Sequence, residues 1–158
     1  MMASVRRIVV LVVLVVAAAV LAAPAVTDAQ RRFRTIRSSG TILGHLAQPA
    51  SPEGYAFAGF VSDSKLGEGA TTAQGSIEGP TTSGAIVAFF DRGTVRGSFR
   101  FAITANPDGT ITYEGTTRYR GGTGAYAGAR GSGRTIATQD AEGYTRFDYT
   151  QTLKVPRR

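Results

Sequence analysis

Gly121-Gly122-Thr123-Gly124-Ala125-Tyr126-Ala127-Gly128-Ala129-Arg130-Gly131 sets five glycines and three alanines between two strand-like segments. Glycine at that density supplies backbone angles with φ > 0 and lets neighbouring backbones approach closely, as a sheet requires where it bends sharply or closes on itself. The stretch therefore reads as a barrel corner. Thr123 is β-branched and must stay extended, so Gly122 or Gly124 is expected at angles closed to other residues. Gly121-x-x-Gly124 has the look of a nucleotide loop, but no helix follows to present its N-terminus to a phosphate.

The segments before the corner alternate with period two. From Thr94 to Ala105 the odd positions read Val95, Gly97, Phe99, Phe101, Ile103, Ala105 and the even ones Thr94, Arg96, Ser98, Arg100, Ala102, Thr104, which is one apolar and one polar face. Asn106-Pro107-Asp108-Gly109 then turns the chain: Pro fixes φ, Asp bonds its own backbone, and Gly takes the left-handed angle. With Asn106 facing Thr110, Ala105 pairs with Ile111, Ile103 with Tyr113 and Phe101 with Gly115, so apolar meets apolar and the Phe101 ring lies over bare backbone. Further strands are predicted over Ile36–Leu43, Tyr55–Val61, Thr72–Ile77, Gly84–Phe90, Thr110–Tyr119, Arg134–Thr138 and Tyr144–Lys154, separated by turn-rich stretches at Gln48–Pro52, Ser62–Gly69 and Gly79–Ser83. No helical period is sustained after about Thr35. Eight short strands without crossover helices give an all-β chain, and closure into a small antiparallel barrel removes the exposed edges of an open sandwich.

The glycine segment resembles the GG[ST]G-x-[FY]-x-x-A-R-G signature of dirigent proteins and the GGSG-x-[FY]-x-G-A-x-G turn of allene oxide cyclases, families that share an eight-stranded antiparallel barrel. The likeness covers Gly93 to Leu153 best, and Phe147-Asp148-Tyr149-Thr150-Gln151-Thr152-Leu153 is similar to their aromatic-rich closing strand. The resemblance implies a barrel that holds a small hydrophobic molecule and assembles as a homotrimer. Arg130 matches the arginine of the Ala-Arg-Gly portion of the signature. Both families place a functional carboxylate on their first strand, whereas this chain has no Asp or Glu from Gln30 to Pro52.

The chain ends set the compartment. Arg6 and Arg7 precede an apolar run from Ile8 to Leu21 and the small-residue exit Ala22-Ala23-Pro24-Ala25, the pattern of a secretory signal peptide over 1–29, cleaved after Ala25 or Ala29. A basic tail over 30–37, a barrel domain over 38–154 and a basic tail over 155–158 complete the organisation. The export reading places the protein outside the cell or in its envelope, and sixteen arginines against two lysines fit a GC-rich bacterial coding bias. Without cysteine there is no disulfide, so the core alone must hold the fold. The formal charge of +7 comes from the ends, since Ser38 to Leu153 carries nine basic and ten acidic residues. Such tails suit weak contact with an anionic envelope, and nucleic acid is not an expected partner.

Residues able to do chemistry are few. Glu114, with Arg100 and Arg118 nearby, reads as an orienting acid or as an exposed cross-strand ion pair. Arg130 reads as a functional cation or as a hydrogen-bonding cap of the corner. Tyr113 completes the catalytic candidates. Phe99, Phe101, Tyr113, Phe147 and Tyr149 are candidate ligand-binding residues, with Asp148 beside them on the last strand. Gly121, Gly122, Gly124, Gly128 and Gly131 are the structural turn. His45 stands alone without cysteine, so no metal and no cofactor is expected. Two readings follow: a non-catalytic barrel that binds a small apolar ligand or serves the envelope, and a cyclase or dirigent-like enzyme steering a reactive intermediate in the lumen. Burial of Glu114 and Arg130 separates them, because both in a cavity favour the enzyme and both in solvent favour the binder.

Overall fold

The structure is a computed structural model that describes residues 32–47 and 54–157; the signal-peptide assignment lies outside these residues. Eight strands, β1 (Phe33–Ala47), β2 (Gly54–Asp63), β3 (Gly67–Glu78), β4 (Thr81–Phe90), β5 (Gly93–Ala105), β6 (Ile111–Gly122), β7 (Arg130–Gln139) and β8 (Tyr144–Pro156), follow one another as an antiparallel meander. The sheet closes when β8 returns to β1, from Phe33 opposite Pro156 to His45 opposite Tyr144. Every strand thus has two partners and no edge is left open. The predicted basic tails are shorter than expected: β1 begins at Phe33 and β8 runs to Pro156, so Arg34 and Arg37 sit within paired strands.

The β5–β6 hairpin has the register its apolar pattern dictates, with Ala105 opposite Ile111, Ile103 opposite Tyr113 and Phe101 opposite Gly115. Asn106 donates its amide N–H to the Thr110 carbonyl, and Asp108 accepts from the Thr110 N–H and hydroxyl at 3.0 and 2.7 Å. A bulge between Val95 and Gly97 shifts the register toward the corner. There Gly121, Gly124 and Gly128 have φ of 143°, 56° and 72°, while Thr123 is extended at φ −126°. Gly122 has ordinary angles, but a Cβ on it would strike the Thr94 carbonyl oxygen. A 3-10 turn over Gly124–Tyr126 tucks Tyr126 inward against Phe90, rings edge-to-face at 6.2 Å.

That corner closes one end of the barrel. Tyr126 is 2% exposed, and Leu66, Ala129, Leu153 and Val155 are buried with it. At the other end, where the β3–β4, β5–β6 and β7–β8 turns lie, the inward side chains loosen: Leu46, Tyr55, Ile86 and Ile103 are half-buried and Ile77 is 53% exposed. The core is therefore a cup with a floor and an apolar mouth.

Candidate functional site: the barrel lumen

Inward positions alternate rings with bare backbone. A Cβ on Gly40 would strike the Tyr149 phenol, one on Gly44 the Phe57 ring, and one on Gly115 would sit 2.8 Å from Phe101. Glycine opposite an aromatic lets each ring lie flat along the wall instead of filling the centre. Phe99 and Phe101 stack at 5.0 Å, and Phe147 meets Phe57 edge-to-face at 5.1 Å. The space left is a cavity of about 80 Å³ lined by Phe57, Phe99, Phe101, Tyr113, Phe147 and Tyr149 among others. The five residues expected to face a ligand, Phe99, Phe101, Tyr113, Phe147 and Tyr149, all line it.

The remaining candidates lie elsewhere. Glu114 and Arg130 are exposed on the outer wall. Glu114 does form a cross-strand ion pair, but with Arg134 of β7 at 3.5 Å rather than with Arg100 or Arg118. The strand on the second side of β6 supplies the partner, and a single hairpin could not reveal it. Asp148 also points outward, where Arg146 and then Thr41 hold its carboxyl below the usual range. His45 is exposed beside the Glu142 carbonyl, 3.1 Å from Nε2. Among the described residues no group of His, Asp and Glu is arranged to hold a metal.

A buried carboxylate went unread in the sequence. Asp63, the last residue of β2, is 5% exposed beneath the lumen floor. Its Oδ2 accepts from the Ser38 hydroxyl at 2.9 Å, the Tyr149 phenol at 2.8 Å and the Gln151 amide at 2.8 Å. Its Oδ1 accepts the backbone N–H of Lys65 and Leu66, both at 2.9 Å. Extending the Phe57, Gly59, Val61 alternation by one step points Asp63 inward, and Asp before Ser-Lys-Leu-Gly is an Asx-turn pattern. Five donors stabilise a buried charge that would otherwise be prohibitive. The first strand thus contributes a serine to the carboxylate, and the carboxylate itself comes from the strand beside it.

Above this anchor the polar groups are phenols and hydroxyls. Burial, and after it the Asp63 charge, pushes the Tyr149 and Tyr119 phenols well above their ordinary range. Tyr113 is also raised by burial and donates to Gln139 Oε1 at 2.7 Å. Tyr149 is committed to Asp63, but Tyr119, Thr117 and Thr135 make no side-chain hydrogen bond to another described residue, and all three line the lumen. No enclosed side-chain oxygen among the described residues lacks a partner, so these hydroxyls open onto the cavity. They lie together on β6 and β7, where Gly115 faces Thr135 and Gly133 faces Thr117.

Two solved structures with this architecture are the pterocarpan synthase dirigent proteins GePTS1 and PsPTS1. The first matches with a TM-score of 0.57 and 16% identity over 80% of this chain and 91% of its own. The second matches with a TM-score of 0.54 and 13% identity over 80% and 97%. No family model and no curated protein matches the sequence. The closed eight-stranded barrel, aligned along almost the whole length of both neighbours, gives this chain the dirigent-type barrel fold.

Proposed function

We propose that this is an exported, non-catalytic barrel that holds one small, uncharged, largely apolar molecule bearing an acceptor oxygen. The observation that carries this reading is the pairing of an aromatic wall with three uncommitted hydroxyls, Tyr119, Thr117 and Thr135, inside one cavity. A ring gains by leaving water for the phenylalanine wall, and a ligand oxygen can accept from up to two of the three hydroxyls. A ligand anion is disfavoured, because the Asp63 charge lies below the lumen and Glu78, Asp108, Asp140 and Glu142 surround the mouth on the strand turns. Steering a reactive intermediate would need an acid or base that reaches the lumen. Glu114 and Arg130 face outward, the lone pairs of Asp63 are occupied, and the Tyr113 phenol that does reach the lumen is raised by burial and committed to Gln139. Export rests on the Arg6-Arg7 start and the apolar run that follows it.

Calorimetric titration with p-cresol and with p-toluate tests the lumen reading. The neutral phenol is expected to bind, Tyr119→Phe to weaken it several-fold, and the carboxylate not to bind. Equal binding of the two probes, or indifference to Tyr119→Phe, would refute the reading. N-terminal sequencing of the protein recovered outside the cells tests export.

A further inference from the structure

The nearly equal charges of the barrel body conceal a sharp segregation. On the outer wall Arg120 of β6 stands directly opposite Arg130 of β7, which stands directly opposite Lys154 of β8. One step along the strands, Arg118 of β6 and Arg37 of β1 flank Ser132 and Thr152 in the same way. Arg96 of β5 lies across bare Gly121, its Nε 2.9 Å from the place a Cβ would take. All six cations are exposed, and none pairs with a carboxylate among the described residues. The acids of these strands, Glu114 and Asp148, already belong to Arg134 and Arg146.

Like charges directly opposite one another destabilise a sheet. A wall that keeps three in a row, while the carboxylates of the same strands pair with other arginines, is arranged for something outside the chain. We propose that this face, β5–β8 with the start of β1, binds an extended acidic polysaccharide. Neighbouring strands set the cations about 4.8 Å apart, and outward positions repeat about every 6.8 Å along each strand, so the charges form a lattice suited to a linear chain with regularly spaced carboxylates. Arginine forks bind carboxylates in bidentate fashion. Between the cations stand Ser132, Thr152 and Thr35, hydroxyls that match a hydroxyl-rich polymer. The same rows hold no outward aromatic on which bases could stack, as single-stranded nucleic acid requires. Of the exposed large apolar side chains, Leu43, Phe60 and Phe89 cluster on the opposite wall, β1–β4, while Ile136 and Tyr144 of β7 and β8 stand outside the cationic rows.

The test compares two double variants of equal charge in the purified protein, with polygalacturonate as probe. Arg120→Ser/Arg130→Ser removes part of the row, and Arg134→Ser/Arg146→Ser removes two cations that are already paired. The first is expected to weaken polygalacturonate binding at least about tenfold and to flatten its salt dependence; the second is expected to leave affinity within about twofold. The first should also raise the urea midpoint at low salt, a gain that disappears at high salt. Equal losses in the two variants would reduce the effect to net charge and overturn the proposal. So would tighter binding to single-stranded poly(dT) or to phosphatidylglycerol vesicles, or a urea midpoint that falls when the row is broken.

Discussion

Asp63 is the residue on which the inside of the barrel is organised. Its Oδ2 gathers Ser38, Tyr149 and Gln151 from two other strands, and its Oδ1 closes the β2–β3 turn. Asp63→Asn keeps the shape but turns an acceptor into a donor facing three donors. A loss of about 3 kcal/mol is expected in urea unfolding, against about 1 kcal/mol for Tyr149→Phe, which removes one bond and leaves the charge otherwise satisfied. Equal costs would show that the carboxylate is not the anchor. The phenols above it give an alkaline limit. Tyr119 and Tyr149 are raised in the folded state, so the unfolded chain, with tyrosines near pH 10, loses protons first. Stability is therefore fully present below about pH 10 and falls as pH rises above it. Urea midpoints measured from about pH 8 to 11 should show this fall, and Tyr119→Phe should make it shallower.

At the scale of elements, the corner between β6 and β7 separates two ways in which glycine is required. Gly124 has φ of 56° and a Cβ there would strike the Arg92 carbonyl, whereas Gly128, at 72°, would meet only the Pro156 ring at 3.2 Å. Gly124→Val is thus expected to cost well over about 2 kcal/mol and Gly128→Ala about 1 kcal/mol, measured by urea unfolding with β-sheet circular dichroism. The corner, the eight strands and the β5–β6 register were legible because period-two alternation and turn chemistry are local. The ends of β1 and β8 were not. Arg34 and Arg37 look like a solvated tail until the closing partner is known, and only Val155 and Leu153 on the far strand explain why the chain is ordered there. The inward placement of the aromatics that line the lumen followed from parity alone. Asp63 was missed because a turn-rich stretch was read from its composition, and the alternation of the strand entering it was not carried through.

The whole molecule has walls of opposite character. Across β1–β4 the outward row runs Leu43, Phe60, Ala70 and Phe89, with Ala58, Thr72 and Val87 beside it and no Lys, Arg, Asp or Glu in either row before the flanking Arg146 and Arg96. Phe60 is 80% exposed. An apolar face of this kind lets copies of a chain of net charge +7 meet while keeping their arginines apart. We propose that copies associate there, a trimer being the state the family resemblance implies. Sedimentation of the native protein should show the assembly, and Phe60→Asp should reduce it to monomer without lowering the urea midpoint by more than about 1 kcal/mol equivalent. A native monomer would refute it. The cup is also electrically lopsided along its axis: Glu78, Asp108, Asp140 and Glu142 sit on the turns around the mouth, and at the floor Arg34, Lys65, Arg92 and Arg157 outnumber the exposed acids Glu68 and Asp91. Beside any negatively charged layer such a particle has a preferred attitude, floor toward the layer and opening toward the medium, so anything held in the lumen would be exchanged on the side facing away from that layer.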